Sequence, residues 1–157
     1  MKASDYFLWP KEKLRLSLKR KSSVQIEEKL SSMFFNAHPV LVSSGRAGLF
    51  LTMTALRLSR ADKVNIFPYA SHCVLDAVSR VATPTSNHEA CDTSIIYHQW
   101  GYIQNKSAAK DDVEDAVDTL YRPHTNLLIA GGRFEIWSLS KIMGTLGGGV
   151  VWCRDLS

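Results

Sequence analysis

Cysteine is scarce in this chain of 157 residues: three in all, at positions 73, 91 and 153. An odd number of widely spaced cysteines offers no disulfide framework, and it agrees with a reducing compartment. Long apolar runs are missing as well, since no stretch approaches the ~20 residues of a membrane span. The opening residues, Met1 to Pro10, hold only Tyr6-Phe7-Leu8-Trp9, too short for a signal-peptide core. The expectation is a cytoplasmic protein that touches no membrane. Internal repeats and low-complexity tracts are absent too. What is present, 45% hydrophobic residues, is enough for one domain with a real core.

A charge excess of one sign is missing from most of the chain. The net charge is +4, but six of the 19 Lys and Arg residues crowd into positions 11–21 beside one acid. The remainder has 13 basic against 14 acidic residues, so the body has no basic bias. The segment could touch nucleic acid or an anionic surface. A solvated basic arm, residues 1–22, is the plainer reading, and no nucleic-acid partner is expected. Within it, alternating Leu14, Leu16 and Leu18 hint at a short strand.

Local patterns then suggest the elements. Ser22-Ser23-Val24-Gln25 fits a capping box, followed by Ile26, Leu30, Met33 and Phe34 on one helical face. Pro39 to Ser43 reads as a buried strand, running through Ser44-Gly45 into a helix from about Ala47 to Arg60. Val64 to Phe67 reads as a second strand, ended by Pro68. Cys73 to Val81 reads as a helix. Thr83 to Asp92 is polar and reads as loop, and Ser94 to His98 as a strand. Positions 105–112 suit a short helix or a loop. Leu127 to Ala130 is apolar and stops at Gly131-Gly132, while Ile136 to Leu139 and Gly149 to Cys153 fit neighbouring strands. Strands alternating with helices argue an α/β fold with a largely parallel or mixed sheet. In such sheets ligands sit beyond the carboxyl ends of the strands.

Five places carry candidate chemistry. Ser44-Gly45-Arg46 follows a strand and opens a helix, which makes a seat for phosphate, although any tight strand-to-helix turn can carry Ser-Gly. The Walker-type spacing is absent. His72 follows the second strand; its ring suits stacking on a flat ligand or a hydrogen bond within its own loop. Asp115 lies in Val113-Glu114-Asp115-Ala116-Val117; taken alone it reads as a surface acid beside Asp111 and Asp112. Ser138 offers a hydroxyl to a phosphate oxygen. Lys141, between Ser140 and Ile142-Met143-Gly144, reads as an exposed lysine or as a nucleophilic amine, and its apolar and glycine-rich flanks favour the second. In this order, a carboxylate and then a lysine near a glycine run are what a protein needs to hold pyridoxal phosphate (PLP): the amine condenses with the aldehyde, and the acid keeps the pyridine nitrogen protonated. Ser138-Leu139-Ser140-Lys141 also matches S-x-x-K, but the S-D-N and K-T-G partners of penicillin-binding enzymes do not occur. A zinc site through His88, Cys91 and His98 lacks a second close pair. No metal is expected.

Taken together, the motifs resemble those of the DegT/DnrJ/StrS-type PLP-dependent aminotransferases. Ser44 to Leu49 resembles their phosphate turn, and Pro68 to Cys73 the segment whose ring stacks on the cofactor. Tyr97 to Gly101 resembles a strand end of the family. Glu114-Asp115-Ala116 resembles the acid segment, and Ser138 to Lys141 with Gly147 to Gly149 the lysine segment. The similarity runs from about Val24 to Asp155. The resemblance implies part of a fold type I large domain, three-layer α/β/α with a mostly parallel sheet, over residues 23–157. It implies Lys141 and Asp115 as catalytic residues, and Ser44, Gly45, Arg46, His72 and Ser138 as cofactor contacts. An amino donor and a keto sugar, carried on a nucleotide in polysaccharide biosynthesis, are the implied substrates. A homodimer, or pairing with a C-terminal part that this chain lacks, is the implied assembly. Several features depart from the pattern, among them the short stretches between Thr85 and Ile95 and from Gly101 to Glu114. The chain is short, Gly48 replaces an alanine, and Asp118 stands where glutamine or histidine is common. The alternative they leave open is a catalytically inactive remnant or split subunit that binds PLP or a partner without turnover.

Overall fold

The computed structural model describes residues 22–104 and 111–154. The arm at 1–21, with its anticipated strand at Leu14 to Leu18, and positions 105–110 lie outside the described residues.

The capping box at Ser22 is formed: the Gln25 N–H donates to Ser22 Oγ and the Ser22 N–H to Gln25 Oε1, each at 3.2 Å. It starts α1 (Ser23–Met33), which lays Leu30, together with Phe34 just beyond it, against the sheet. Then come β1 (Ala37–Val42), α2 (Gly45–Ala55), β2 (Lys63–Asn65), α3 (His72–Ser79), β3 (Thr83–Thr85), β4 (Thr93–Tyr97) and β5 (Val113–Asp115). A 3-10 turn (His88–Ala90), β6 (Phe134–Ser138), the short α4 (Leu139–Ile142) and β7 (Gly149–Arg154) complete the described elements. The strands form one seven-stranded sheet in the order β1-β7-β6-β5-β4-β2-β3. The β6–β5, β5–β4, β4–β2 and β2–β3 pairs are parallel, while β7 runs antiparallel between β1 and β6. The sheet is therefore mostly parallel, and the carboxyl ends of all strands but β7 share one edge.

Period-2 alternation sorts side chains to the two faces. Val113, Ile136 and Val151 join Leu49, Met53, Val74 and Val78 of α2 and α3 in one core. Trp137, Val150 and Trp152 join Leu30 and Phe34 in the other, which also takes Tyr121, Leu127 and Leu128. The Trp137 ring meets Phe34 edge-on at 4.9 Å between centroids, a favoured aromatic geometry.

Three readings of the sequence change. Thr83–Thr85, expected as loop, is edge strand β3, paired on β2. A three-residue strand is too short to show alternation. The helix expected to reach Arg60 ends at Ala55, and Arg57 takes a positive φ of 59°, which stops it. The helix expected from Cys73 to Val81 ends at Ser79. Gly48 has a packing role: a Cβ there would lie 3.0 Å from Val151 Cγ2 and 3.3 Å from Ile136 Cγ2, so its absence lets α2 sit close on the sheet.

Candidate functional site

A cavity of about 460 Å³ opens at the carboxyl edge of the sheet. Ser44, Gly45, Arg46, Asp115, Ser138 and Lys141 all line it, so six of the seven residues singled out from sequence converge. They come from three places: the β1–α2 turn, the end of β5, and the β6–α4 junction. The seventh, His72, does not line it. His72 is the first residue of α3 and is exposed, whereas its neighbours Ser71 and Cys73 are on the cavity wall. One step along a helix turns a side chain by ~100°, so that choice depends on where the helix starts.

The phosphate-type seat is built by α2. Ser44 caps the helix, its Oγ accepting the Ala47 N–H at 3.1 Å. The Gly45 and Arg46 N–H groups fall in the first turn, where no intrahelical carbonyl reaches them. The positive end of an eleven-residue helix therefore faces the cavity. Gly45 fits because it is close-packed: a Cβ would stand 3.0 Å from Val117 Cγ1. Gly149 is tighter still, with Ser44 C, Gly45 N and Trp137 O all within 2.8 Å of where its Cβ would be. That contact locks the turn onto β7. Across the cavity, Ser138 Oγ lies 3.1 Å from Ser140 Oγ, and Arg46 Nη2 lies 3.1 Å from Cys73 Sγ.

Asp115 forms the buried end of the cavity. Its Oδ1 accepts the Val117 N–H at 3.1 Å. Burial pushes its carboxyl up to about 6, against the pull of that N–H and of the Lys141 charge; Asp118 adds to the rise. A buried acid held this way is short of positive charge. A cationic ring nitrogen would supply it, and the donor-rich turn opposite would take a phosphate. The chemistry of this donor set thus fits PLP. Tyr97, directly beside Asp115 in the β4–β5 register, has a buried hydroxyl with no hydrogen-bond partner among the described residues.

Lys141 enters from α4, with its side chain 52% exposed and Nζ 3.0 Å from Asp118 Oδ1. Asp118 had been noted only as a departure from the family pattern; the structure makes it the ion-pair partner of the lysine. Beneath the site, on the opposite face, His98 Nε2 lies 2.7 Å from Glu114 Oε2. His98 Nδ1 accepts the Gln104 N–H at 3.2 Å, which leaves Nε2 as the nitrogen that donates to the carboxylate. Ser71, Cys73 and Val117 were not singled out from sequence. Ser71 and Cys73, one place to either side of His72, had that residue as a signal to find them by, and Val117 had none.

A family model described as "Putative PLP-dependent aminotransferase" matches residues 26–157. No curated protein matches the chain in sequence. Among solved structures, an aminotransferase from Psychrobacter cryohalolentis is similar with a TM-score of 0.69 at 15% identity, over 85% of this chain and 42% of that one. DesV from S. venezuelae is similar at 0.70 and 21%, over 85% of this chain and 44% of its own. The "Putative sugar aminotransferase Spr1654" from Streptococcus pneumoniae, in its PLP-form, is similar at 0.70 and 14%, over 87% and 46%. At such identities the likeness establishes the fold, that of a partial aminotransferase large domain. The chain spans less than half the length of these structures. With its residues from Ile26 onward matched by the family model, the chain belongs to the PLP-dependent aminotransferases.

Proposed function

We propose that the chain is the cofactor-binding part of a DegT-type aminotransferase that moves nitrogen from an amino donor to the keto group of a sugar. The observation that carries this reading is the convergence of Asp115 and Lys141 on one cavity, opposite the N-terminus of α2. When bound, PLP supplies an electron sink for the bond to be broken. Ser44, Gly45, Arg46 and Ser138 would hold its phosphate by N–H and hydroxyl donors. Asp115, ionised, would hold a proton on the ring nitrogen. Lys141 would supply the amine that anchors the cofactor and that takes and returns the proton at the substrate α-carbon. His72, exposed at the start of α3 and outside the cavity lining, is the cofactor contact that the motif resemblance alone supports.

The keto sugar, its nucleotide carrier and a place in polysaccharide biosynthesis are supported by the motif resemblance and by a neighbour whose name is that of a sugar aminotransferase. A cytoplasmic location suits such substrates. No helix among the described residues is long and apolar enough to cross a membrane. Tyr69, Trp100 and Tyr102, which are 86%, 77% and 72% exposed, offer apolar surface to a homodimer or to a C-terminal part such as the longer relatives have. Apolar surface of that kind favours a partner. It also favours the second reading, a split or inactive subunit that binds PLP or a partner without turnover.

One experiment separates them. The full chain is mixed with PLP, followed by visible absorption, reduced with borohydride and digested for mass spectrometry. The aminotransferase reading expects a band that reduction fixes to Lys141 and that an amino donor bleaches. A band indifferent to donors supports the inactive subunit, and no band at all overturns both PLP readings.

A further inference from the structure

Lys141 does not reach the cavity as a free amine. Its Nζ lies 3.0 Å from Asp118 Oδ1, a contact between α4 and the turn after β5. That turn is firmly held. The Ala116 N–H donates to Ile136 O at 3.0 Å, and the Val117 N–H to Asp115 Oδ1 at 3.1 Å. The Thr119 N–H donates to Ala116 O at 3.1 Å, while its hydroxyl donates to His98 O at 2.7 Å. Asp118 is therefore presented on a fixed backbone, with its side chain only 27% exposed. Asp115 is close enough for the Asp118 charge to oppose its ionisation.

An amine attacks an electrophile through its lone pair, which an ammonium lacks until its proton has left to solvent. We propose that Asp118 is a positioning residue that latches Lys141 at the cavity mouth, so that the amine becomes available once this ion pair has opened and the ammonium has given its proton to solvent. The latch rests on the reading of Lys141 as the anchoring amine. It adds that the protein restrains this amine until a ligand or salt competes for one partner. A half-exposed pair is weakened by dissolved ions, which makes the restraint tunable. Lys29, exposed on α1, is a built-in comparison.

The test uses the full chain without PLP. Acetyl N-hydroxysuccinimide at limiting concentration and fixed pH is the probe, and peptide mass spectrometry gives the labelling rates of Lys141 and Lys29. Asp118→Asn is expected to speed acetylation of Lys141 by about three- to fivefold and to leave Lys29 unchanged. In the wild-type chain, raising salt from about 0.05 to 0.5 M should carry the Lys141 rate toward that of the variant, whose own rate should respond less, through Asp115 alone. Equal rates in a folded variant and wild type overturn the latch. So does a wild-type rate that ignores salt, and this second measurement decides alone if the variant fails to fold. Because PLP takes no part, failure of the latch and failure of the cofactor reading are scored separately.

Discussion

Glu114 of β5 stands beside Glu135 of β6 in the parallel register, and both side chains are fully buried on the face away from the cavity. Each acid is satisfied locally. Glu114 accepts the Ala130 N–H at 3.1 Å and the Gly132 N–H at 2.7 Å, besides the contact with His98. Glu135 accepts the Leu128 N–H at 2.7 Å and Trp137 Nε1–H at 2.6 Å. The two carboxyl groups therefore tie the irregular 127–132 segment to the sheet. Glu114→Ala leaves His98 and two buried N–H groups without their acceptor. It should cost about 3–5 kcal/mol in urea unfolding. A loss under about 1 kcal/mol would mean that water replaces the carboxylate.

Stability should depend on pH through Asp115 and Glu135. Burial raises Asp115 from 3.8 to about 6 and Glu135 from 4.5 to about 7. Acids whose pKa is raised in the fold contribute stability that is full below the unfolded value and is lost as pH rises through the folded one. Without PLP, stability should therefore fall between about pH 4 and 7, by about 1–3 kcal/mol for each acid. Asp115→Asn should remove the lower part of that fall and Glu135→Gln the upper. Thermal melts across this range would check both; a flat profile for the wild-type chain would contradict the buried charges.

At the site, Lys141→Met should abolish the borohydride-fixed adduct while PLP still binds reversibly. Asp115→Asn should leave Lys141 able to react but weaken PLP by at least about tenfold, since one unit of pKa coupling corresponds to that factor. Fluorescence titration with PLP gives the affinity, and mass spectrometry after reduction gives the adduct. An adduct that persists in Lys141→Met would place the anchoring amine elsewhere.

Gly149→Ala should destabilise the chain by about 1–3 kcal/mol, because its new methyl meets rigid backbone of the β1–α2 turn and of β6. By moving that turn it should also weaken PLP. Gly48→Ala meets only methyl groups that can shift, and its gain in helix propensity, about 1 kcal/mol, offsets the crowding. Chemical denaturation of the two variants side by side should show Gly149→Ala clearly the worse.

Elements with a strong local signal were legible in the sequence. The Ser22 capping box marked the start of α1, and the apolar runs at Pro39 and Ser94 marked β1 and β4. β3 and β5 were not legible, since three residues in the middle of polar or acidic stretches show no period. Six residues of the cavity lining were legible because their order along the chain matches a known chemistry. His72 does not line the cavity although Ser71 and Cys73 beside it do, a one-residue difference at the start of α3 that the sequence does not show.

Residue identities alone determined the chemical kit: an acid at 115, an amine at 141, hydroxyls at 44 and 138, and a glycine that permits a close turn at 45. These depend on side-chain chemistry and local spacing, which any conformation preserves. Only the tertiary structure decided that β5 sends Glu114 and Asp115 to opposite faces. One became a structural tie and the other the floor of the cavity. It also brought Asp118 against Lys141, 23 positions along the chain. Such pairings are set by strand order and register, and a linear sequence carries those only through the packing it finally adopts.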